Sequence, residues 1–439
     1  MWQACAMPSH QLSEAKRFEA YLERMSTAVG HADRREPLRA YLSGLLLPGE
    51  RKSVEPMAAK LDPLHVRARH QSLHHFVAQA PWSEQNLLRV ARDYALAAFE
   101  RHAPVAAWVV DDTGMPKKGS HSVGVAHQYC GALGKSANCQ VAVTVSLVNA
   151  VLSVPGGFRL YLPKEWAEDR KRRRAAGVPP DVVFQTKGMI ALAEIDELLA
   201  EEIPVAPVVA DAGYGASTEF RDALTERSLS YVVGILPDTG LWPPGSEPLP
   251  PKAWKGQGRP PKLLRRTDER QPVLARELVQ HLPRKAWTQV RWREGTKGMM
   301  RSRFAALRVR VAHRDYERSE SRAPEWLLVE WPTDQKEPTR YWLSTVPEEV
   351  ELEELVRLAK IRWRIERDFQ ELKDELGLDH YEGRGWRGFH HHGALCIAAY
   401  AFLAAERARL SPPAPLAFLR PASVPKDFRP RGSPTTGAP

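Results

Sequence analysis

Two aspartates, Asp111 and Asp112, stand together at the end of an apolar run, VAAWVVDDTG, and Asp211 closes a second run, PVAPVVADAGYG. Further on, RWRIERDFQELK carries Glu366, with Arg362 four residues before it and Lys373 seven after. Carboxylate oxygens are what hard cations such as Mg²⁺ take, and about three carboxylates seat the two ions that cut a phosphodiester. At about 100° per residue, Arg362, Glu366 and Lys373 fall within about 40° of one another on a helix. A carboxylate between two cations on one face fits a solvated salt-bridge lattice. It fits equally a metal ligand with a phosphate clamp on either side, and spacing leaves both open.

The elements that must position these groups follow from the apolar patterning. Both acid-terminated runs are short and nearly continuous, which predicts strands buried on both faces. Their acids then lie at C-terminal strand ends, where open α/β sheets place their sites. HSVGVAHQYCG and NCQVAVTVSLVNAVLSVPGGFRLYL predict further antiparallel strands, and Lys164–Pro180, with Arg170, Arg172 and Arg173, predicts a basic loop. KGMIALAEIDELLAEE and ASTEFRDALTERSL predict helices. The order from 104 to 236 is β-β-β-α-β-α-β, a mixed sheet flanked by helices. Residues from about 10 to 100 carry apolar positions at helical spacing, with a basic stretch at His65, Arg67, Arg69 and His70. From 237 to 340 a Pro- and Gly-dense stretch gives way to alternating strands. A strong helix over 350–376 stops at Gly377, and a second runs over about 390–410.

The 439 residues carry 63 Lys and Arg against 53 Asp and Glu, a formal charge of +10 that favours a polyanionic partner, nucleic acid first. Four scattered cysteines (Cys5, Cys130, Cys139, Cys396) without a CxxC argue against a disulfide scaffold or a thiolate zinc site, and for buried thiols in a reducing cytosol. No run of about 18 apolar residues occurs and no signal peptide is legible, so an intracellular protein is expected. Lys117 and Lys118 follow the first acids, as phosphate contacts or as solvated turn lysines. The Arg170–Arg174 run fits a sequence-independent DNA contact or a solvated loop. The consecutive His390, His391 and His392 cannot all face one ion, which points to a structural or DNA-facing role.

RWRIERDFQELK, following a strand that ends DDTG and a later VVADAGYG, resembles the DDE transposases of bacterial insertion sequences. The match is to the branch whose signature is Tyr, Arg, Glu and Lys separated by two, three and six residues. Arg362, Glu366 and Lys373 fit the last three places, and Ala359 stands where the tyrosine belongs. DDTGMPKKGSHSVGVAHQYCGALGKSANCQVAV and GLDHYEGRGWRGFHHH look like the subgroup sharing this extended form, and the resemblance covers about 105 to 236 and 338 to 400.

The resemblance implies an α/β, RNase H-like mixed sheet flanked by helices, with an inserted β-rich domain and an N-terminal helical region. The expected divisions are a helical DNA-binding region over 1–103, the first part of the core over 104–236 and the insertion over 237–345. The C-terminal core helices follow over 346–410, with a Pro-rich disordered tail over 411–439. Position by position, the first catalytic acid is Asp111 or Asp112, Asp112 being favoured because the family places a threonine directly after its aspartate and Thr113 does so, which leaves Asp111 pointing to the other face of the strand. Asp211 is the second, with Gly213 and Gly215 turning the backbone sharply, and Glu366 is the third; Glu371 and Glu375 lack the flanking cations. Together they would hold two Mg²⁺, with Mn²⁺ able to stand in, while Arg362 and Lys373 fix phosphates. Trp342, in the return strand RYWLST, would stack on a flipped nucleotide or else serve as a core tryptophan. The implied activity cuts the ends of an insertion sequence and joins the 3′-hydroxyls to target DNA. Its partners are the terminal inverted repeats, the target duplex and a second copy of the chain in a synaptic homodimer, with no membrane and a cytoplasmic, nucleoid-associated location. A catalytically silent DNA-binding regulator and an RNase H-type nuclease are the alternatives.

Overall fold

The computed structural model describes residues 13–295 and 298–410; Cys5 and the tail expected to be disordered over 411–439 lie outside them. Five helices lead: α1 (Glu14–Ser26), α2 (Arg35–Leu46), α3 (Val54–Leu61), α4 (Val66–Ala78) and α5 (Glu84–His102). Ser83 caps α5 by accepting from the Asn86 amide at 3.2 Å, and Arg101 and His102 complement the dipole at its far end. Their apolar stripes turn inward, through Tyr21, Leu22 and Met25, then Leu38, Tyr41, Leu42 and Leu45, then Leu87, Leu88 and Ala91.

Four strands follow, β1 (Ala107–Pro116), β2 (Ala126–Cys130), β3 (Lys135–Val148) and β4 (Ser153–Leu160), one more than the expected order held. The basic segment is not a loop: it forms two short helices, α6 (Lys164–Glu168) and α7 (Arg170–Ala175), because Asp169 accepts from the Arg172 amide and caps the second. Then come α8 (Lys187–Ala200), β5 (Val208–Ala210), α9 (Ala212–Gly215), α10 (Thr218–Glu226) and β6 (Tyr231–Ile235). The inserted part supplies β7 (Gly240–Trp242), β8 (Val273–Leu274), α11 (Ala275–Gln280), β9 (Thr288–Gly295), β10 (Gly298–Val311), β11 (Glu325–Trp331) and β12 (Arg340–Ser344). The chain ends in α12 (Leu352–Lys360), α13 (Trp363–Asp374) and α14 (Trp386–Leu410).

The strands form one mixed sheet in the order β2-β3-β1-β5-β6-β12-β11-β10-β7-β8, with β4 on β3 and β9 on β10. β1, β5 and β6 are parallel and lie at its centre, and their runs are apolar because helices cover both faces. β12 pairs antiparallel with β6, Trp342 opposite Gly234, so the inserted strands extend the core sheet. The pleat of β4 shows what covers each face. Gly157 and Arg159 meet Glu194 and Glu197 of α8, whereas Gly156 abuts Arg92 of α5 and Phe158 abuts Gly393 of α14.

α14 is buried on nearly every side, and α2, α4, α5 and β4 pack around it. The N-terminal helices therefore share one core with the C-terminal helix: the Tyr21 hydroxyl donates to the Ala398 carbonyl at 2.6 Å, and Arg17 pairs with Glu406. Close approach to β4 depends on Gly393, where a Cβ would come within 2.3 Å of the Phe158 ring. Gly393→Ala is expected to lower stability by roughly 1–3 kcal/mol, read by chemical denaturation, as overpacked cores do.

Asp368 of α13 is buried and accepts from the Tyr400 hydroxyl of α14 at 2.8 Å. Burial raises its carboxyl to about 6. Ionising it thus costs folding free energy, a loss that begins as pH rises past the unfolded value near 4 and is complete above about 6. Asp368→Asn keeps an acceptor for Tyr400 without the charge. It is expected to be more stable than wild type at pH 7.5, by at most roughly 3 kcal/mol, and to match it near pH 4, in paired thermal melts.

Candidate active site on the central strands

Register places the two neighbouring aspartates on opposite faces of the sheet. Asp111 lies across from Thr144 and Asp112 across from Val143, while Thr144 lies across from Phe158 and Val143 across from Arg159. Asp111 therefore shares the face of Phe158, covered by α5 and α14, and Asp112 shares the face of Arg159, covered by α8. Their partners agree. The Arg362 guanidinium, at the start of α13, donates to the Asp111 carboxylate at 2.5 Å, and the Lys187 ammonium, in the first turn of α8, pairs with Asp112.

Arg362 also reaches Glu366 one turn along α13, 3.1 Å away. Asp211 caps α9, accepting from the Gly213 amide at 2.8 Å. Neither Gly213 nor Gly215 has a positive φ, so the turn does not depend on glycine's dihedral freedom as expected. Gly215 is required by contact instead: a Cβ there would meet the Gly234 carbonyl oxygen at 2.2 Å, and α9 could not seat on β6. Burial pushes the Asp111 carboxyl up to about 6; Arg362 and the Asp112 amide pull it back, and the nearby Asp211 and Asp112 charges push it further.

Asp211, Arg362 and Glu366 line a cleft of about 940 Å³ between the core and the inserted strands. Its walls are cationic and aromatic. Arg293 lies 4.1 Å from the Trp363 ring, and Lys360, paired with Glu330, sits within about 6 Å of Trp292, Phe304 and Trp342. Trp342 is 7% exposed, at the floor of this cleft, in contact with both the core and the cavity. Trp292, Trp363, Arg293 and Lys360 were not singled out in the sequence, since no local pattern joins β9 to α12 and α13.

Other sequence candidates are held within the protein. Lys373 donates to the Gly114 carbonyl at 2.9 Å, and Lys117 to the Asp379 and Tyr381 carbonyls at 3.1 and 2.8 Å; burial lowers both ammonium pKa values. Lys118 is exposed. Arg172 lies over the Trp166 ring at 3.8 Å and donates to the Ser120 carbonyl, and Arg173 ties Ala167 to Pro179, while Arg170 stays exposed. His390, His391 and His392 are all buried. His391 stacks on Trp82 at 3.6 Å with its ring nitrogens against the Val77 and Trp82 carbonyls, and His392 meets the Tyr41 hydroxyl. Cys130, Cys139 and Cys396 are buried and free.

The acids fit a divalent cation by type and by need. All donors are hard oxygens, and the desolvated Asp111 carboxyl lies beside two further negative charges that a cation would relieve. Among the described residues, no three Asp, Glu, His or Cys side chains stand already grouped around one point. The pleat of β1 separates Asp111 from Asp112, and Arg362 and Lys187 are their respective counter-ions. Lys187 was missed in the sequence, although a cation in the first turn of a helix opposes the dipole and is a legible anomaly.

Residues 24–299, more than half of the chain, match the family model described as DDE superfamily endonuclease; that span includes Asp111, Asp112 and Asp211 and ends before Glu366. A probable transposase for insertion sequence element IS701 from Microchaete diplosiphon is 34% identical over 166 residues, which is 38% of this chain and 40% of that relative's length. No helix among the described residues is long and apolar enough to cross a membrane.

Proposed function

The chain belongs to the DDE superfamily of endonucleases, and from that premise we propose that it is an insertion-sequence transposase that cuts DNA at element ends and joins the 3′-hydroxyls to target DNA. The observation that carries the reading is Arg362. One guanidinium from the start of α13 spans Asp111 of β1 and Glu366, and this acidic cluster opens on a cationic, tryptophan-lined cleft. The likeness to the IS701 relative supports the same reading.

Asp111, Asp211 and Glu366 would hold divalent cations, Mg²⁺ or Mn²⁺; Asp112, expected as the first ligand, lies on the opposite face of β1, paired with Lys187. Such ions supply, when bound, activation of an attacking oxygen and neutralisation of charge at the phosphate. The chain's own residues do the positioning. Arg362, Arg293 and Lys360 would grip backbone phosphates, and the cleft tryptophans would take an unstacked base on a flat apolar face. Lys373, turned to the Gly114 carbonyl, braces β1 against α13 just behind the acids. The Tyr-Arg-Glu-Lys branch would be represented without its tyrosine, since Ala359 lines the cleft at that place.

The test is cleavage of a labelled duplex carrying the terminal repeats of the flanking element, in Mg²⁺ and in Mn²⁺. Metal-dependent nicking at the repeat end is expected. Tight binding without cleavage under both ions overturns the reading in favour of a silent DNA-binding regulator, and preferential cutting of an RNA–DNA hybrid overturns it in favour of an RNase H-type nuclease.

A further inference from the structure

Between β7 and β8 the chain throws out a loop that takes no part in the acidic cleft. Leu249 and Arg265 close its neck with two backbone hydrogen bonds of 2.9 and 3.0 Å, and the Leu264 amide ties the neck to the Arg318 carbonyl at 2.8 Å. Above that neck, residues 250–264 carry Lys252, Lys255, Arg259 and Lys262 and no acid. All four cations are exposed, and among the described residues none of them has a carboxylate or carbonyl partner. Trp254 stands with them, 55% exposed, its indole N–H donating to the Gly258 carbonyl at 3.2 Å. So large an apolar ring left in water forgoes the stabilisation its burial would bring, which a merely solvated loop has no reason to do. The indole bond closes a turn whose tip is nearly bare backbone. Gly256 and Gly258 take left-handed dihedrals, φ +83° and +73°, and nothing lies within 4 Å of a Cβ built on either. The arm that follows is stiff, because Pro260 and Pro261 fix φ and carry no N–H. Arg259 thus stands where a thin tip meets a rigid arm.

We propose that this loop is a second DNA contact, in which Arg259 enters the minor groove of A·T-rich duplex while Lys252, Lys255 and Lys262 lie on the bordering phosphates. It rests on the reading that the chain acts on DNA, and not on which residues cut. The minor groove is about 6 Å wide, closed to a helix and open to a glycine tip that carries one guanidinium. Over A·T runs it narrows and its negative potential deepens, which draws an inserted arginine. The exposed indole face adds the apolar surface with which groove-entering segments press on base steps. The contact is remote from the acids. Arg266, beside the neck, donates to the Ala312 carbonyl just past the end of β10, whereas Ser302 of the same strand lines the cleft. The strand between them spans roughly 30 Å, the length of about nine base pairs.

The test is equilibrium binding of the full chain, without divalent ion, to terminal-repeat duplexes that differ only about nine base pairs from the cut. There they carry a run of A·T, of G·C or of inosine·C, which shows the minor groove of A·T and lacks the amino group that G·C places in it. Wild type is expected to bind the A·T and inosine·C duplexes about fivefold tighter than the G·C duplex. Arg259→Ala is expected to bind all three alike, at the weaker affinity. Combining Lys252→Ser, Lys255→Ser and Lys262→Ser is expected to lower the slope of log affinity against log salt by about 2 to 3. These side chains touch nothing else in the fold, so melting temperatures stay level. Wild-type affinity for A·T and G·C that does not differ, or a slope that the triple variant leaves unchanged, overturns the contact. Inosine·C behaving as G·C does overturns the minor-groove assignment. A wild type that binds no duplex sinks the DNA reading itself, whereas one that binds with these preferences and never cuts overturns the transposase reading and leaves this contact standing.

Discussion

Glu366→Gln is expected to abolish metal-dependent strand cleavage, by roughly 10³-fold or more, while duplex binding stays within about twofold of wild type. Gln has the shape of Glu without the charge a hard cation needs, and the stabilisation lost at the transition state is several kcal/mol. The fold has little stake in the substitution. The Glu366 side chain is 60% exposed, its ion pair with Arg362 is an exposed i,i+4 contact, and Arg362 keeps Asp111 as a partner. The measurement is single-turnover nicking of an end-labelled repeat duplex in Mg²⁺, with a gel-shift titration in the absence of divalent ion. Cleavage within tenfold of wild type would remove Glu366 from the site and return the helix to a solvated ion-pair lattice.

The second large effect is at Arg362. Its guanidinium, 31% exposed, faces a largely buried Asp111 carboxylate, so Arg362→Ala leaves a desolvated negative charge beside Asp211 and Asp112. Removing one partner of a buried pair costs about 3–5 kcal/mol; with this partial exposure, roughly 1–3 kcal/mol is expected at pH 7.5. The deficit depends on pH with a definite sign. Arg362 lowers the Asp111 carboxyl, which burial has raised to about 6, so its loss lets that value climb. Below pH 6 Asp111 takes up a proton in either protein, and the gap between variant and wild type narrows. Urea denaturation at pH 5 and pH 7.5 reads this directly. A pH-independent deficit would mean that Arg362 stabilises α13 by packing alone. Cleavage is expected to fall at least 10²-fold, and Arg362→Lys should recover part of the stability and little of the activity, because a single ammonium cannot span Asp111 and Glu366 at once.

How far the site was legible follows from the range of the forces involved. Residues that meet within one element were readable, since helical spacing alone sets Arg362 four places from Glu366 and on the same face. Asp211 was readable because a buried strand must end where its apolar run ends. The partners of Lys117, Arg172 and Arg173 were not, because a long flexible side chain takes whichever carbonyl the surrounding chain presents. The basic segment read as a loop because one capping aspartate, Asp169, weighs little in a window of arginines.

By itself the sequence determined most of the strands and helices, the burial of the central strands and Asp211 at the end of β5, because periodicity and apolar runs are local properties of the chain; Asp111 and Asp112, expected at a strand end, lie inside β1, which runs on to Pro116. Tertiary structure decided which acid meets which cation. A one-residue step along β1 sends Asp111 to the face of α13 and Asp112 to the face of α8, and that step acquires meaning only when β3 and β4 set the register. The same holds for the insertion, whose strands join the core sheet because β6 offers β12 an open edge of unpaired amides and carbonyls. Local chemistry names the carboxylates; pairing across some 250 residues gives them their neighbours.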